Sequence, residues 1–513
     1  MRFKHVLQNG LFSIGKQILI TLLGLVNRTI FIWYLGMECL GCTSLFGNIL
    51  TWLSFAEGGF CIVMEYRLFQ ANAAGDDALT TSIMKLYRRV YTCLGIGILL
   101  VGISITGLTP YLIQRDSITL DTFSLYKIYW LQLLAVVVGY FGSYWRAFIQ
   151  AKQEGYLCEG ADSLISILSL LAQFLVLFQF RSLYGYLAVK IAEAAGKNLL
   201  IYRISQRRYP NALRPEIPAL SLRKSGIGKD LKNYLSQKVA NLVYSATDSI
   251  VISRFCGIVT VGIYSNYLLI FLSVQSLLFA APYTMAQASI SNFLNSESEE
   301  TKKNLICILD LLTGVYAAAL CCGFLTCFQP TITWWIGEEA LLPFSFVFLL
   351  VINAYIGFAA ETLYKIRATY GDYEQEISWM TLSAVCNLVL SVALVQKWGV
   401  AGVEIGTIAG IILIVAGRIK FVSTHCDFFE IPPYLKKHLL WAALFVLEAF
   451  TAHFLTRNLP PVLWGILLRG VIAIGSSVAI NILALHRTQD FQAARNYLAI
   501  QFYRLRKNNT EEE

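Results

Sequence analysis

Charge is the scarcest feature of this sequence. Only 14% of its 513 residues are Asp, Glu, Lys or Arg, where a soluble domain carries about a quarter. That shortage excludes a water-facing surface over most of the chain. Histidine is scarce too: the five copies are scattered without metal-ligand spacing, which gives no zinc or other metal site. No nucleotide-binding module is present. GLFSIGKQ, from Gly10 to Gln17, imitates a phosphate loop, but Gln17 stands where Ser or Thr would hold magnesium, and no strand precedes it. Any active transport therefore draws on an ion gradient, a membrane potential or another process. No catalytic constellation appears, so the chain reads as a non-enzyme.

Hydrophobic residues make up 56% of the chain, and mean hydropathy is +0.59. They fall in long blocks rather than amphipathic stripes, so the chain is counted in bilayer crossings. About fourteen helical spans are expected: 11–35, 41–65, 90–112, 125–148, 159–180, 183–203, 233–256, 261–290, 304–328, 341–363, 376–396, 399–419, 438–457 and 461–485. The N-terminus resembles a signal peptide, but its apolar run continues for about 25 residues and contains Lys16, Gln17 and Arg28, as a retained first helix would. Most of the twelve cysteines, such as Cys321, Cys322 and Cys386, lie inside spans as small hydrophobes. Cys39 and Cys42 form a C-x-x-C without the βαβ setting of a redox site.

The net charge of +9 does not mark a nucleic-acid binder, because the basic residues sit in short loops between spans. With the N-terminus inside, the cytoplasmic segments hold about 29 of the 41 Lys and Arg, and the outer turns about four (Arg115, Arg181, Lys397, Arg457). This ratio places both termini in the cytoplasm and supports the even count of spans. The expected organisation is 1–203 as an N-terminal lobe, 204–232 as a basic loop, 233–424 as a C-terminal lobe, 425–485 as an accessory pair and 486–513 as a tail. The basic loop, with Arg207, Arg208, Arg214, Arg223, Lys224 and Lys229, suits anionic headgroups or serves as a stop-transfer cluster.

The sequence also repeats internally. TIFIWYLGMECLGCTSLF (Thr29 to Phe46) aligns without gaps on IVISRFCGIVTVGIYSNY (Ile250 to Tyr267), pairing Gly36 with Gly257 and Gly41 with Gly262. Both copies run from inside to outside, which implies a parallel repeat about an axis along the membrane normal. Gly402, Gly406 and Gly410 form a doubled G-x-x-x-G ridge suited to close helix packing.

Ionisable residues inside spans need partners or water. Arg28 lies about 12 Å below the turn at Gly36 and shares a helix face with Gln17 and Thr21. Lys238, Asn241, Ser245 and Asp248 share another, and Asp248 aligns with Asn27. Arg28, Gln17, Lys238, Asn241 and Asp248, with Glu57, are the candidates for lining a substrate cavity. Lys190, Glu193 and Lys197 can satisfy one another along one helix, and Asp162, Asp310, Glu361 and Glu404 are further buried or semi-buried acids.

At RTIFIWYLGMECLG (Arg28 to Gly41), LSFAEGGF (Leu53 to Phe60), EYRLFQANAAGD, MKLYRRVY (Met84 to Tyr91), TDSIVISRFCGIVTVGIYSNY (Thr247 to Tyr267) and WGVAGVEIGT (Trp398 to Thr407), the chain resembles the polysaccharide flippases of the MOP (multidrug/oligosaccharidyl-lipid/polysaccharide) exporter superfamily. The resemblance implies an all-α fold of two six-helix lobes around a central cavity plus two C-terminal helices, in a bacterial cytoplasmic membrane. It implies alternating access that moves a polyprenyl-diphosphate-linked oligosaccharide outward for cell-surface polysaccharide synthesis. Polysaccharide polymerases or glycosyltransferases are the implied partners, with membrane lipids and without nucleic acid. The transporter is expected to be a monomer with no resident cofactor, and Na⁺ or H⁺ coupling is open. Arg28 matches the family's first-helix arginine, Arg254 is a second basic candidate, and Asp248 matches an acidic position ahead of the YSNY segment.

Two rivals differ in their requirements. A cation-coupled drug antiporter of the same fold wants a cavity of acids and aromatics rather than a central arginine. A membrane polymerase or glycosyltransferase wants a large outer loop, whereas the longest outer turns here run over about 113–124 and 329–340. The topology has a direct test. A fluorescent protein fused after residue 513 folds and fluoresces, and alkaline phosphatase fused there stays inactive; active phosphatase at that position contradicts the orientation.

Overall fold

The computed structural model describes residues 2–114, 119–210, 212–213, 216–220, 247–280, 290, 298–370, 374–427 and 429–496, with backbone alone for 2–18, 54–63, 279–280, 299 and 374–375. Among them every regular element is a helix. The chain divides into two compact units, Met1–Asn266 and Tyr267–Glu513.

The first unit contains α1 (Arg2–Ala73), α2 (Asp77–Ile105), α3 (Thr122–Tyr140), α4 (Ser143–Ala151), α5 (Gly155–Phe180), α6 (Leu183–Arg208), α7 (247–256) and the start of α8 (Ile258–Val274). The outer turn expected between 35 and 41 is a single residue. Helix α1 is broken only at Gly36, whose φ of 80° and ψ of 173° lie where an L side chain is strained. Gly257, φ 90°, makes the same one-residue break between α7 and α8. Helix α2 begins well before the expected residue 90, because the Asp76 side chain accepts from the Leu79 N–H and caps it.

The span expected over 125–148 is two helices. Gly142 adopts a left-handed φ of 111° between α3 and α4, and the Asn198 side chain donates to the Val138 and Gly139 carbonyls at 2.8 and 3.2 Å. Those carbonyls face the interruption, and an amide from α6 satisfies them where lipid could not. Beyond α6, the basic loop folds back onto α2. Thr81 Oγ1 donates to the Ala212 carbonyl, Ser82 Oγ to Pro218 and Lys85 Nζ to Ile217, at 2.5–3.1 Å. The remainder of that loop, 221–232, lies outside the described residues.

The second unit contains α9 (Glu299–Trp335), α10 (Phe344–Ala359), α11 (Glu361–Tyr370), α12 (Glu374–Trp398), α13 (Val400–His425), α14 (Ile431–Thr456) and α15 (Leu463–Leu485). Its core is aromatic: Tyr267 packs against Phe328 and Phe346 with ring centroids 5.9 and 5.7 Å apart, and Tyr355 stacks on Phe445 at 4.2 Å. The span expected over 341–363 bends by 42° between α10 and α11.

Ten described helices are long and apolar enough to cross a membrane, or eleven if that bent pair is one span. Helix α6 is not among them, because Lys190, Glu193, Lys197 and Arg203 lie along it and lower its hydropathy. Most of the span expected over 233–256 lies outside the described residues. Large apolar side chains are exposed along many helices, Phe178 at 63%, Val471 at 69% and Leu483 at 73% among them, while Asn266, Asn387 and Glu448 are fully buried. This inverted pattern suits a lipid solvent. The chain is a multi-pass, all-helical membrane protein.

Close helix contact recurs at the expected ridge. A Cβ on Gly402 would sit 2.5 Å from the Leu394 carbonyl, and one on Gly406 would lie 2.8 Å from the Asn387 oxygen. Ser383 Oγ donates to the Gly410 carbonyl at 2.8 Å. Gly406→Leu is therefore expected to lower thermal stability in detergent by about 1–3 kcal/mol or more. An unchanged melting temperature would remove the ridge from the packing of α12 on α13.

Candidate functional site

The two repeat copies meet inside the first unit, and they meet reciprocally. A Cβ on Gly41 would overlap the carbonyl oxygen of Ile258, and a Cβ on Gly262 would lie 2.5 Å from the carbonyl oxygen of Met37. Met37 and Ile258 are themselves equivalent, each following the positive-φ glycine of its copy. Each copy thus presents the carbonyl just after its break to the glycine five residues past the break in the other. This is a twofold contact in which the same patch serves both partners, and only glycine permits the approach.

Polar side chains follow the same symmetry. Arg28 Nε donates to Asn266 Oδ1 at 2.8 Å, and its Nη2 donates to Ser265 Oγ. Ser249, the equivalent of Arg28, accepts from Asn48 Nδ2 at 2.7 Å. In both directions, a residue ahead of one glycine break reaches the helix beyond the other. Asn266 is fully buried and also donates toward Met37 Sδ at 3.7 Å, which fixes the amide that receives Arg28.

Arg28 is half-buried, and among the described residues its hydrogen-bond partners are neutral. Two of its five N–H donors are used on them. Several other intramembrane charges are neutralised at contact distance, whereas Arg469 of α15 is buried and donates to the Leu459 carbonyl. Arg146 clasps Asp162, Lys197 takes Glu193 at 2.6 Å, Lys437 takes Asp310 at 2.6 Å, Lys365 lies 3.3 Å from Glu361, and Arg367 and Arg418 share Glu376 at 2.6 and 3.1 Å. Lys190 lies over the Tyr186 ring at 5.3 Å. A half-buried cation on neutral acceptors keeps its full charge and favours an anion nearby.

Of the other candidates, Asp248 is buried in α7 beside Ser249. Arg254 is exposed near the Gly257 break. Glu404 is buried and accepts from Asn353 at 2.8 Å. Lys238 and Asn241 lie outside the described residues, as do the side chains of Gln17 and Glu57. The C-x-x-C pair is split by burial, with Cys42 fully buried and Cys39 half-buried, both free thiols.

The sequence reading missed a polar relay next to Arg28. Asn27 donates to Gln173 at 2.7 Å, Gln173 to Ser169 at 3.0 Å, and Ser169 to Glu193 at 2.8 Å. It also missed Ser265 and Asn266, the receivers of Arg28. The available signal was the polar pair inside the apolar run GIYSNYLLIF.

No protein-family model and no curated protein matches the chain. Solved structures do. The chain is similar to the lipid II flippase MurJ in an inward closed conformation, at 14% identity over 93% of this chain and 99% of that one, with a TM-score of 0.70. The fold is that of the MOP-superfamily transporters. An inward-facing multidrug resistance MATE family transporter of that superfamily shares it at 14% identity, covering 80% of this chain and 95% of the other, TM-score 0.66. A MATE transporter from Vibrio cholerae does so at 14%, 84% and 100%, TM-score 0.56.

The reciprocal contact has its own test. Gly41→Ala and Gly262→Ala are each expected to cost about 1–3 kcal/mol of stability, and together less than their sum, because both strain one interface. Additive losses in a double-mutant cycle read by thermal unfolding would contradict the shared contact.

Proposed function

We propose that this protein is a flippase that moves a polyprenyl-diphosphate-linked oligosaccharide from the inner to the outer leaflet of a bacterial cytoplasmic membrane, for cell-surface polysaccharide synthesis. The observation that carries the reading is the Arg28 guanidinium, half-buried on the neutral acceptors Ser265 and Asn266. A diphosphate cannot cross hydrocarbon unaided, and a cation with no carboxylate at contact distance among the described residues is suited to draw it in. One structural neighbour is named as a flippase of lipid II.

The proposed cycle is alternating access between lobes 1–203 and 233–424, with 425–485 accessory and 204–232 as the connecting loop. The Gly41–Gly262 contact closes the outer side, and its parting opens it. In the closed state Ser265 and Asn266 hold Arg28; when the contact parts, its N–H groups pass to the diphosphate. The sugar needs a wet path while the prenyl chain stays in lipid. Both termini lie in the cytoplasm, and the protein acts as a monomer with no resident cofactor, taking energy from a Na⁺ or H⁺ gradient, the membrane potential or consumption of its product. Membrane glycosyltransferases supply its substrate and a polymerase consumes the product.

The drug-antiporter reading would place the working charge on acids such as Asp248. Arg28→Ala separates the two. Loss of glycan export by roughly tenfold or more, with normal membrane insertion and partial rescue by Arg28→Lys, supports the flippase. Full export by a well-expressed Arg28→Ala protein overturns it.

A further inference from the structure

The break between α3 and α4 opens a cavity of about 570 Å³ in the first unit, lined by residues of α2, α3, α4 and α6. It lies apart from the Arg28 cluster and shares no residue with it. Its walls are aromatic. Tyr91 stacks on Tyr87 with ring centroids 4.5 Å apart and leans on Tyr140 at 6.0 Å. Opposite, Trp145 packs between Tyr144 and Tyr202 at 5.4 and 6.1 Å. Asn198 stands at the break, and Thr92 adds a hydroxyl.

Arg88 is the one charged side chain among the lining residues, and no acid lines the cavity. Arg88 is exposed, while Trp145 is fully buried, so the cavity runs from a cationic mouth to an aromatic floor. Its rim includes Phe141, 45% exposed, and Leu199, 50% exposed. The loop charges assign this end of α2, α3 and α6 to the cytoplasmic side, where Tyr and Trp settle at headgroup depth.

A single guanidinium, phenolic hydroxyls and an apolar rim together recognise an amphiphile whose head bears one negative charge. A free phosphate would leave the aromatic walls and the rim unused. A zwitterionic head would bring a cation up to Arg88. We propose that this cavity is a headgroup site for an anionic phospholipid of the inner leaflet. The phosphodiester pairs with Arg88, the glycerol portion lies against Tyr144 and Tyr202, and the acyl chains leave over Phe141 and Leu199. The site is independent of the flippase reading, because a transporter of any cargo could hold such a lipid.

The test is native mass spectrometry of the full chain in detergent, titrated separately with phosphatidylglycerol, phosphatidylcholine and inorganic phosphate. Wild type should retain phosphatidylglycerol over phosphatidylcholine, and Arg88→Gln should lower that retention roughly fivefold, the effect of one basic residue at a membrane surface. Arg88→Lys should keep most of it, and Lys397→Gln, which removes an exposed basic residue of an outer turn outside the cavity, should leave it unchanged. Because Arg88 is exposed, its replacement leaves the fold intact, and an unaltered melting temperature verifies this. Equal retention of the two lipids, unchanged retention by Arg88→Gln, an equal loss in Lys397→Gln, or displacement of phosphatidylglycerol by millimolar phosphate would each overturn the proposal.

Discussion

Two helices can approach backbone to backbone only where neither carries a side chain at the crossing, and here that condition is met twice by one device. Gly41 receives the Ile258 carbonyl and Gly262 receives the Met37 carbonyl. Each carbonyl follows a glycine whose positive φ ends one helix and starts the next. The breaks at Gly36 and Gly257 orient the carbonyls, and the glycines five residues on leave room for them. Within the first unit, this approach also brings Arg28 to Ser265 and Asn266 and Asn48 to Ser249. A methyl group at either crossing glycine would separate the pairs that depend on it.

In a lipid solvent the treatment of charge is as informative as its presence. Several ionisable side chains within the helices sit in contact pairs: Arg146 with Asp162, Lys197 with Glu193, Lys437 with Asp310, and two arginines on Glu376. All but Lys197 with Glu193, which lies along α6 alone, join neighbouring helices, and such pairs leave little field for a ligand. The Glu448 carboxyl accepts from Ser477 and Asn481, which joins α14 and α15 through one buried acid. The described partners of Arg28 are neutral too, and it differs from Glu448 and from Arg469, which is buried against the Leu459 carbonyl, in being only half-buried. Neutral acceptors together with partial exposure separate this candidate binding charge from the structural ones.

Much of this was legible before any coordinates. The spacing of Gly36 and Gly41, repeated at Gly257 and Gly262, pointed to a twofold relation, and the loop charges gave an orientation. The Gly402–Gly406 ridge could be read from its period. Other features were hidden for physical reasons. The interruption at Gly142 lies in a continuous apolar run, and hydropathy cannot see a break satisfied by an amide on a distant helix, as Asn198 satisfies this one. The receivers of Arg28 lie 237 and 238 residues away, and only the packed fold brings them within reach. The relay from Asn27 to Glu193 joins α1, α5 and α6, so no single helix face displays it.

The most direct measurement is to hold the reciprocal contact shut. In a variant freed of its native cysteines, Asn48→Cys and Ser249→Cys replace the pair whose side chains lie 2.7 Å apart, and a short bifunctional thiol reagent with a reducible centre links them. Transport of lipid-linked oligosaccharide should stop when the link forms and return when it is reduced, while either single cysteine treated alone transports normally. Undiminished transport with the link quantitatively in place would contradict a cycle in which this contact must part.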